Sequence, residues 1–173
     1  ADAEGEILAT TATWPTPQLS VAHRDYFQEV AAHDDDRLSV SLPFKARISG
    51  EVAMVLARRV NAPDGALVGV VAISIKRSHF ESIYRAIESM PGQSFLLLRR
   101  DGTILILHPD IADSSGSSGR KIGALDAFQA VLTAGGGSYR TSTTVDKKTR
   151  WAGVYPLPDY PLVVTTGSPE EAM

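Results

Sequence analysis

Apolar and polar positions along this chain group into short elements separated by glycine- and proline-rich turns. Asp2-Ala3-Glu4-Gly5 reads as a turn, acidic then glycine, and Glu6 to Thr11 as the strand it feeds. The prolines of Trp14-Pro15-Thr16-Pro17 lack ladder donors and make a loop. His23 to Ala32 places Tyr26, Phe27, Val30 and Ala31 on one side, as a short helix does. Leu38 to Phe44 alternates like a half-buried strand. Val52 to Ala57 and Ala66 to Ile75 are near-continuous apolar runs around the turn Asn61-Ala62-Pro63-Asp64-Gly65. Their length and β-branched content favour strands, and their unbroken apolarity predicts cover on both faces. Ser78 and Glu81 have capping-box spacing, and Phe80, Ile83, Tyr84 and Ile87 follow at helical intervals. This predicts an amphipathic helix from Ser78 to Met90.

Pro91-Gly92 breaks that helix and a second pattern begins. Ser94 to Leu98 and Thr103 to His108 read as a hairpin about Arg100-Asp101-Gly102. Ile111 to Gly123 is a Ser/Gly-rich loop, and Ala124 to Ala134 a helix using Leu125, Phe128, Val131 and Leu132. Three strands follow: Gly137 to Thr144, Lys148 to Leu157 and Tyr160 to Thr166. The first half repeats this order from its second strand onward, with Asp2 to Thr11 matching Asp101 to His108. Repetition of this kind predicts two similar units in tandem, the first without its opening strand. Ser168-Pro169-Glu170-Glu171 has an N-cap residue, a proline at the first helical position and acids behind it, so a helix is expected to start there.

Bulk properties narrow the class. At 173 residues, 43% hydrophobic and 21% charged, the chain has the balance of a folded domain or two small ones. A net charge of −3 gives no electrostatic case for nucleic acid or an anionic membrane. The absence of cysteine excludes disulfides and thiolate metal sites. No apolar run reaches the ~18 residues of a membrane helix. There is no G-x-S-x-G elbow, no H-E-x-x-H and no convincing pair of carboxylates, so no catalytic residue is nominated.

Candidate chemistry centres on Arg24-Asp25-Tyr26-Phe27. A guanidinium beside two aromatics suits bidentate recognition of a carboxylate with stacking on its carbon skeleton. Tyr26 and Phe27 are pocket walls or plain core. Arg58 and Arg59 point to opposite sides of one strand, and either could reach a pocket. Ser41 could hydrogen-bond a ligand or face solvent. His33-Asp34-Asp35-Asp36 and His108-Pro109-Asp110 are read as solvated loops, with no metal site nominated. The Ser114-to-Gly119 tract lacks the lysine of a phosphate cradle. Trp151 and Tyr155 share a strand face with Gly153 between them, for core packing or a small pocket.

Taken in order, Arg24-Asp25-Tyr26-Phe27, Leu56-Ala57-Arg58-Arg59-Val60, Asp64-Gly65 with Gly69-Val70-Val71, Phe80 with Tyr84, and Arg100-Asp101-Gly102 resemble the double Cache, or PDC, domains. These are tandem PAS-like extracytoplasmic sensors of bacterial histidine kinases, diguanylate cyclases and chemoreceptors. The resemblance is collinear from Asp2 to Met173. It implies an α+β fold of two PAS-like domains, each a mainly antiparallel sheet of about five strands flanked by helices, with the first domain lacking its N-terminal helix and first strand. Residues 1–90 would be the membrane-distal, ligand-binding domain including the helix 78–90, residues 91–167 the membrane-proximal domain, and residues 168–173 the start of a helix toward the membrane.

Amino-acid-binding members carry an Arg-x-Trp-Tyr type motif, which maps onto Arg24, Tyr26 and Phe27, and an aspartate that maps onto Ser74. A serine offers no charge for an α-ammonium group, so the expected ligand is a carboxylate without an amine. The implied site is Arg24, Tyr26, Phe27, Ser41, Arg58 and Ser74, without metal or cofactor. The implied protein is a membrane-anchored, periplasmic receptor of the two-component or chemoreceptor kind and a candidate homodimer, whose sensor region is not an enzyme. The alternative is a dimerisation or protein-interaction module that binds no ligand.

Overall fold

The computed structural model describes residues 1–109, 119–142 and 148–172. In chain order the elements are α1 (Asp25–Ala32), β1 (Ser39–Val40), β2 (Phe44–Lys45), β3 (Val52–Asn61), β4 (Leu67–Lys76), α2 (Arg77–Ile87), β5 (Ser94–Arg99), β6 (Ile104–His108), α3 (Leu125–Thr133), β7 (Gly137–Thr141), β8 (Arg150–Pro156) and β9 (Leu162–Pro169), then a 3₁₀ turn at Glu170–Ala172. This is the expected α+β fold, with one antiparallel sheet of four strands and one of five. The chain divides into two units, Ala1–Arg77 and Ser78–Met173. Among the described residues no helix is long and apolar enough to cross a membrane.

In the first unit β3 is the hub, pairing with β1, β2 and β4. The two long strands form a hairpin from Ala53↔Lys76 to Asn61↔Leu67. Helix α1 lies on one face of it, burying Tyr26, Phe27 and Val30 against Val55, Ala57 and Val70. The second sheet has the order β6-β5-β9-β8-β7. Helix α3 covers one of its faces, with Phe128 packed among Leu98, Ile104, Leu107, Val154 and Val163. On α2, the ring of Tyr84 stacks on Phe95 at 5.2 Å and lies 6.0 Å from His108.

The two units repeat one another bond for bond at their amino ends. Asp2 N–H donates to Glu6 O and Gly5 N–H to Asp2 O, while Ile7 N–H donates to Leu19 O and Val21 N–H to Gly5 O. The same four bonds run Arg99 to Thr103, Gly102 to Arg99, Ile104 to Arg120 and Ile122 to Gly102. The repeat therefore aligns Asp2 with Arg99 and Gly5 with Gly102, two residues out of the register that matches Asp2 with Asp101.

Four expectations are corrected. Glu6 to Thr11 is not a strand: after the single bridge Glu6↔Ser20 the segment leaves the sheet and Leu8 is 69% exposed. Its facing run contains Pro15 and Pro17, which have no N–H to extend a ladder. Leu38 to Phe44 splits into β1 and β2, because Ser41, Leu42 and Pro43 spend or lack the groups a continuous strand needs. The apolar run of β4 is not covered on both faces, since Val71 and Ile73 are 62% and 63% exposed. Ser168 and Pro169 do not open a helix. They finish β9, where Trp151 pairs with Ser168 and Arg150 with Pro169, and the helical turn starts two residues later, as a 3₁₀ turn over Glu170–Ala172. The loop expected from Ile111 and the tract from Ser114 lie largely outside the described residues, as does the end of the strand expected to reach Thr144.

Burial of Tyr84 pushes its phenol up to about 12. Its contribution to stability is complete below the ordinary tyrosine value near 10 and is lost as pH rises from there to about 12, an effect of about 2–3 kcal/mol. The urea midpoint of the second unit is thus expected to drop more steeply between pH 10 and 12 than that of Tyr84→Phe, which has no phenol to ionise. Parallel curves for the two proteins would show that the buried phenol carries no such term.

Candidate functional site

Helix α1 is fixed to the sheet at its start, middle and end by polar side chains. Asp25 accepts from Leu42 N–H at 2.7 Å and from Tyr26 N–H at 2.9 Å, joining the first turn to the β1–β2 connection. In the middle, the Ser39 hydroxyl donates to Glu29. At the end, Arg59 donates to Val30 O and His33 O, carbonyls that the helix leaves unused, and also to Gly65 O in the β3–β4 turn. A cation at a helix carboxyl end is also favoured by the helix dipole.

Arg24 has the opposite setting. It occupies the N-cap position, where serine, threonine or aspartate would be preferred, and its side chain makes no capping bond. A cation at a helix amino end is disfavoured by the dipole. Its backbone is held by Arg24 N–H to Val21 O and by Gln28 N–H to Arg24 O. The guanidinium instead lies over the Phe44 ring, 4.3 Å from its centroid. Among the described residues no carboxylate or carbonyl accepts a bond from it at hydrogen-bond distance. Apart from this cation–π contact, no local interaction accounts for an arginine here.

The strand registers show which residues share this face. Phe44 is opposite Ala53, Ala53 opposite Lys76, Val55 opposite Ser74, and Ala57 opposite Ala72. Directly paired residues point to the same side of an antiparallel sheet. Phe44, Ser74 and Lys76 are thus on the face that carries α1, and Arg24 reaches over its margin. Ser74 is exposed there and neutral. Lys76 is paired with Glu51 at 2.6 Å.

The remaining nominated residues are distributed as follows. Tyr26 and Phe27 are buried in the core beneath α1, and burial raises the Tyr26 phenol above its ordinary value against the nearby Arg24 charge. Ser41 is fully buried; its Oγ accepts from Val55 N–H and its hydroxyl donates to Leu42 O, each at 2.8 Å. It bridges backbone between the split strands. Arg58 points to the opposite sheet face and pairs with Asp36 at 2.8 Å in solvent. Arg59, its neighbour, is on the α1 face. The His33-to-Asp36 loop is engaged locally: His33 Nδ1 lies 2.8 Å from Glu29 O, and Asp35 is held below the usual carboxylate range by Arg37. Phe44 was missed by sequence reading. Its signal was weak, a lone aromatic at the end of an interrupted strand.

In the second unit Trp151, Gly153 and Tyr155 share the face of β8 that carries Thr166 and Ser168 of β9. Both aromatic side chains are exposed. Beside them, Arg140 donates two 2.8 Å bonds to Glu170, which lies in the C-terminal 3₁₀ turn.

No protein-family model matches the sequence, and no curated protein matches it. Solved structures do. The chain is similar to the extracellular domain of rpHK1S-Z16, a protein assigned as a histidine kinase, at 32% identity and a TM-score of 0.79, over 98% of this chain and 68% of that one. It is similar to the periplasmic sensory domain of the Campylobacter jejuni chemoreceptor Tlp1 at 16% identity and a TM-score of 0.67, over 88% of this chain and 57% of that one. The ligand-binding domain of the Pseudomonas fluorescens chemoreceptor CtaA, in complex with L-isoleucine, matches at 17% identity and a TM-score of 0.65, over 98% and 67%. The two chemoreceptor domains bear on the fold alone.

Proposed function

This chain belongs to the double Cache family of extracytoplasmic sensor domains, and from that premise we propose that its first unit binds a small organic carboxylate through Arg24. The observation that carries the proposal is the Arg24 guanidinium, stacked on Phe44 at the amino end of α1 with no protein acceptor among the described residues. Its fork is free to take both oxygens of a carboxylate. The helix amino end adds backbone N–H groups and a favourable dipole for an anion. Asp25, Glu29 and Arg59 hold α1, and so keep the fork in place before a ligand arrives.

Chemoreceptor domains of similar fold have been solved with L-isoleucine, L-Gln and L-Arg. In this chain Ser74 stands where the resemblance places the aspartate of amino-acid-binding family members, on the α1 face and uncharged. A ligand with a carboxylate and no α-amine fits that surface better. In the parent protein the first unit would be membrane-distal and periplasmic, and the second would be proximal and non-enzymatic. Binding would favour one arrangement of the first unit and pass the change to a kinase, cyclase or chemoreceptor output. The Arg140–Glu170 pair at the carboxyl end of β9 is suited to hold the exit segment.

Calorimetry against a panel of small carboxylates, their amides and the corresponding amino acids tests this. A carboxylate hit is expected to weaken by roughly 10–100-fold in Arg24→Ala, the worth of a charge-assisted pair, and to recover in part in Arg24→Lys. Melting of the unliganded protein should change little, because the side chain supports no helix bond. A hit bound equally well by Arg24→Ala would sink the proposal.

A further inference from the structure

A second cation faces the Arg24 site. Phe44, Ala53 and Lys76 form one row across β2, β3 and β4, through the pairs Phe44↔Ala53 and Ala53↔Lys76. The row lies on the α1 face, and its two ends are about 10 Å apart, two strand spacings. Arg24 stacks on the Phe44 end, 4.3 Å from the ring centroid. Lys76 stands exposed at the other end, the next β4 residue after Ser74 on that face. Arg59, a further cation of this face, spends its guanidinium on Val30 O, His33 O and Gly65 O. Lys76 is held differently. It pairs with Glu51 at 2.6 Å, and both side chains are about half exposed. Such a pair contributes little to stability, so the ammonium can change partner at small cost.

The second unit uses the same row in another way. The shared turn bonds equate Asp2 with Arg99. The bridge Asp2↔Gly69 and the pair Arg99↔Leu162 then equate Gly69 with Leu162, and so Lys76 with Pro169. The row there is Thr141, Arg150 and Pro169. Its middle is a buried guanidinium that donates to Gly92 O and Gly167 O, and its ends are uncharged. In the first unit the middle is the methyl group of Ala53, and cations stand over both ends. Charge at the ends and a small apolar middle suit a ligand that is anionic at both ends and aliphatic between them.

On the reading that Arg24 binds a carboxylate, we propose that the ligand of the first unit is a short aliphatic dicarboxylate, its second carboxylate taken by the Lys76 ammonium. The Arg24 fork holds the first carboxylate bidentately. Lys76 turns from Glu51 toward the second, and its flexible four-carbon stem closes part of the distance between the row's ends. Ser74 gains a second reason to be neutral. An aspartate there would repel the distal carboxylate, whereas a serine hydroxyl can donate to it. Glu51 competes with the ligand for Lys76 and so sets how tightly the second end is held.

Calorimetry with succinate, glutarate and adipate, each beside its own half-amide, reads the second charge alone, because amide and carboxylate are nearly isosteric. At least one of the three acids is expected to bind about fivefold or more tighter than its half-amide, a half-exposed ion pair being the source. Lys76→Gln should bring that ratio down to the roughly twofold that two equivalent ends supply. Lys76→Arg should restore it, and Glu51→Gln should raise it by removing the competitor. Arg24→Ala should weaken the acid and the half-amide alike, which separates the two anchors. Acid and half-amide bound equally well, both through Arg24, would overturn the dicarboxylate and leave the Arg24 reading standing. A full ratio that survives Lys76→Gln overturns the role of Lys76. Binding unaffected by Arg24→Ala, or no binding of any of the six compounds, overturns this proposal together with the reading it rests on.

Discussion

Phe128→Ala is expected to lower the stability of the second unit by about 3–5 kcal/mol, the usual cost of emptying a fully buried aromatic site. Phe128 has no solvent exposure and is the α3 residue on which the second core closes. Its neighbours Leu98, Ile104, Val154 and Val163 sit on paired strands of one five-stranded sheet, which cannot collapse into the space without breaking ladder bonds. The cost should thus fall at the high end of that range. Since whole domains are stable by about 5–15 kcal/mol, the variant would stand close to unfolding. Urea titration followed by the fluorescence of Trp151, on β8 of the same unit, measures it. Phe128→Leu, which leaves a smaller void, should retain most of the difference. A loss under about 1 kcal/mol in the alanine variant would mean that the core repacks.

That core was legible in the sequence because its determinants are local. Leu125, Phe128, Val131 and Leu132 recur at helical spacing, and the runs from Ser94 and from Thr103 flank an unmistakable Asp-Gly turn. The hairpin of β3 and β4 was legible for the same reason. What escaped depended on partners distant in sequence. Glu6 to Thr11 has a strand's composition, yet a strand forms only where another offers donors, and Pro15 and Pro17 offer none. Ser41 gave no sign that its hydroxyl would replace a ladder bond to Val55, fourteen residues away. The apolar run of β4 suggested burial, but Val71 and Ile73 point to a face that no element among the described residues covers. In the site, the Arg24-to-Phe27 cluster resolves into different tasks. Asp25 fastens the helix, Tyr26 and Phe27 fill the core, and Arg24 alone is left with an unspent side chain. Its partner Phe44 arrives from an interrupted strand that no spacing rule connects to it.

The bond-for-bond repeat of the two units turns one substitution into a controlled comparison. Gly5 and Gly102 hold the same place in the same turn, with φ of +88° and +81°, so an alanine at either meets the same left-handed strain. Their surroundings differ. A Cβ on Gly102 would meet the tip of Leu125, Cδ1 at 2.6 Å, which a rotamer change can withdraw. A Cβ on Gly5 would lie 2.7 Å from Ala22 N and 2.8 Å from Ala22 Cα, and backbone cannot step aside alone. Gly102→Ala should therefore cost about 1–2 kcal/mol and Gly5→Ala about 3–4 kcal/mol, the added part being forced main-chain movement. The movement has a direction. Val21 N–H is tied to Gly5 O and Arg24 N–H to Val21 O, so displacing Ala22 shifts the residue that holds the guanidinium over Phe44. Gly5→Ala is expected to weaken carboxylate binding at temperatures where it remains folded, and Gly102→Ala to leave it unchanged. Chemical denaturation of both proteins gives the stability order, and calorimetry on the same samples gives the affinity order. Equal costs at the two glycines would mean that the Ala22 backbone yields as easily as a leucine tip, and the coupling from the turn to Arg24 would then be lost with it.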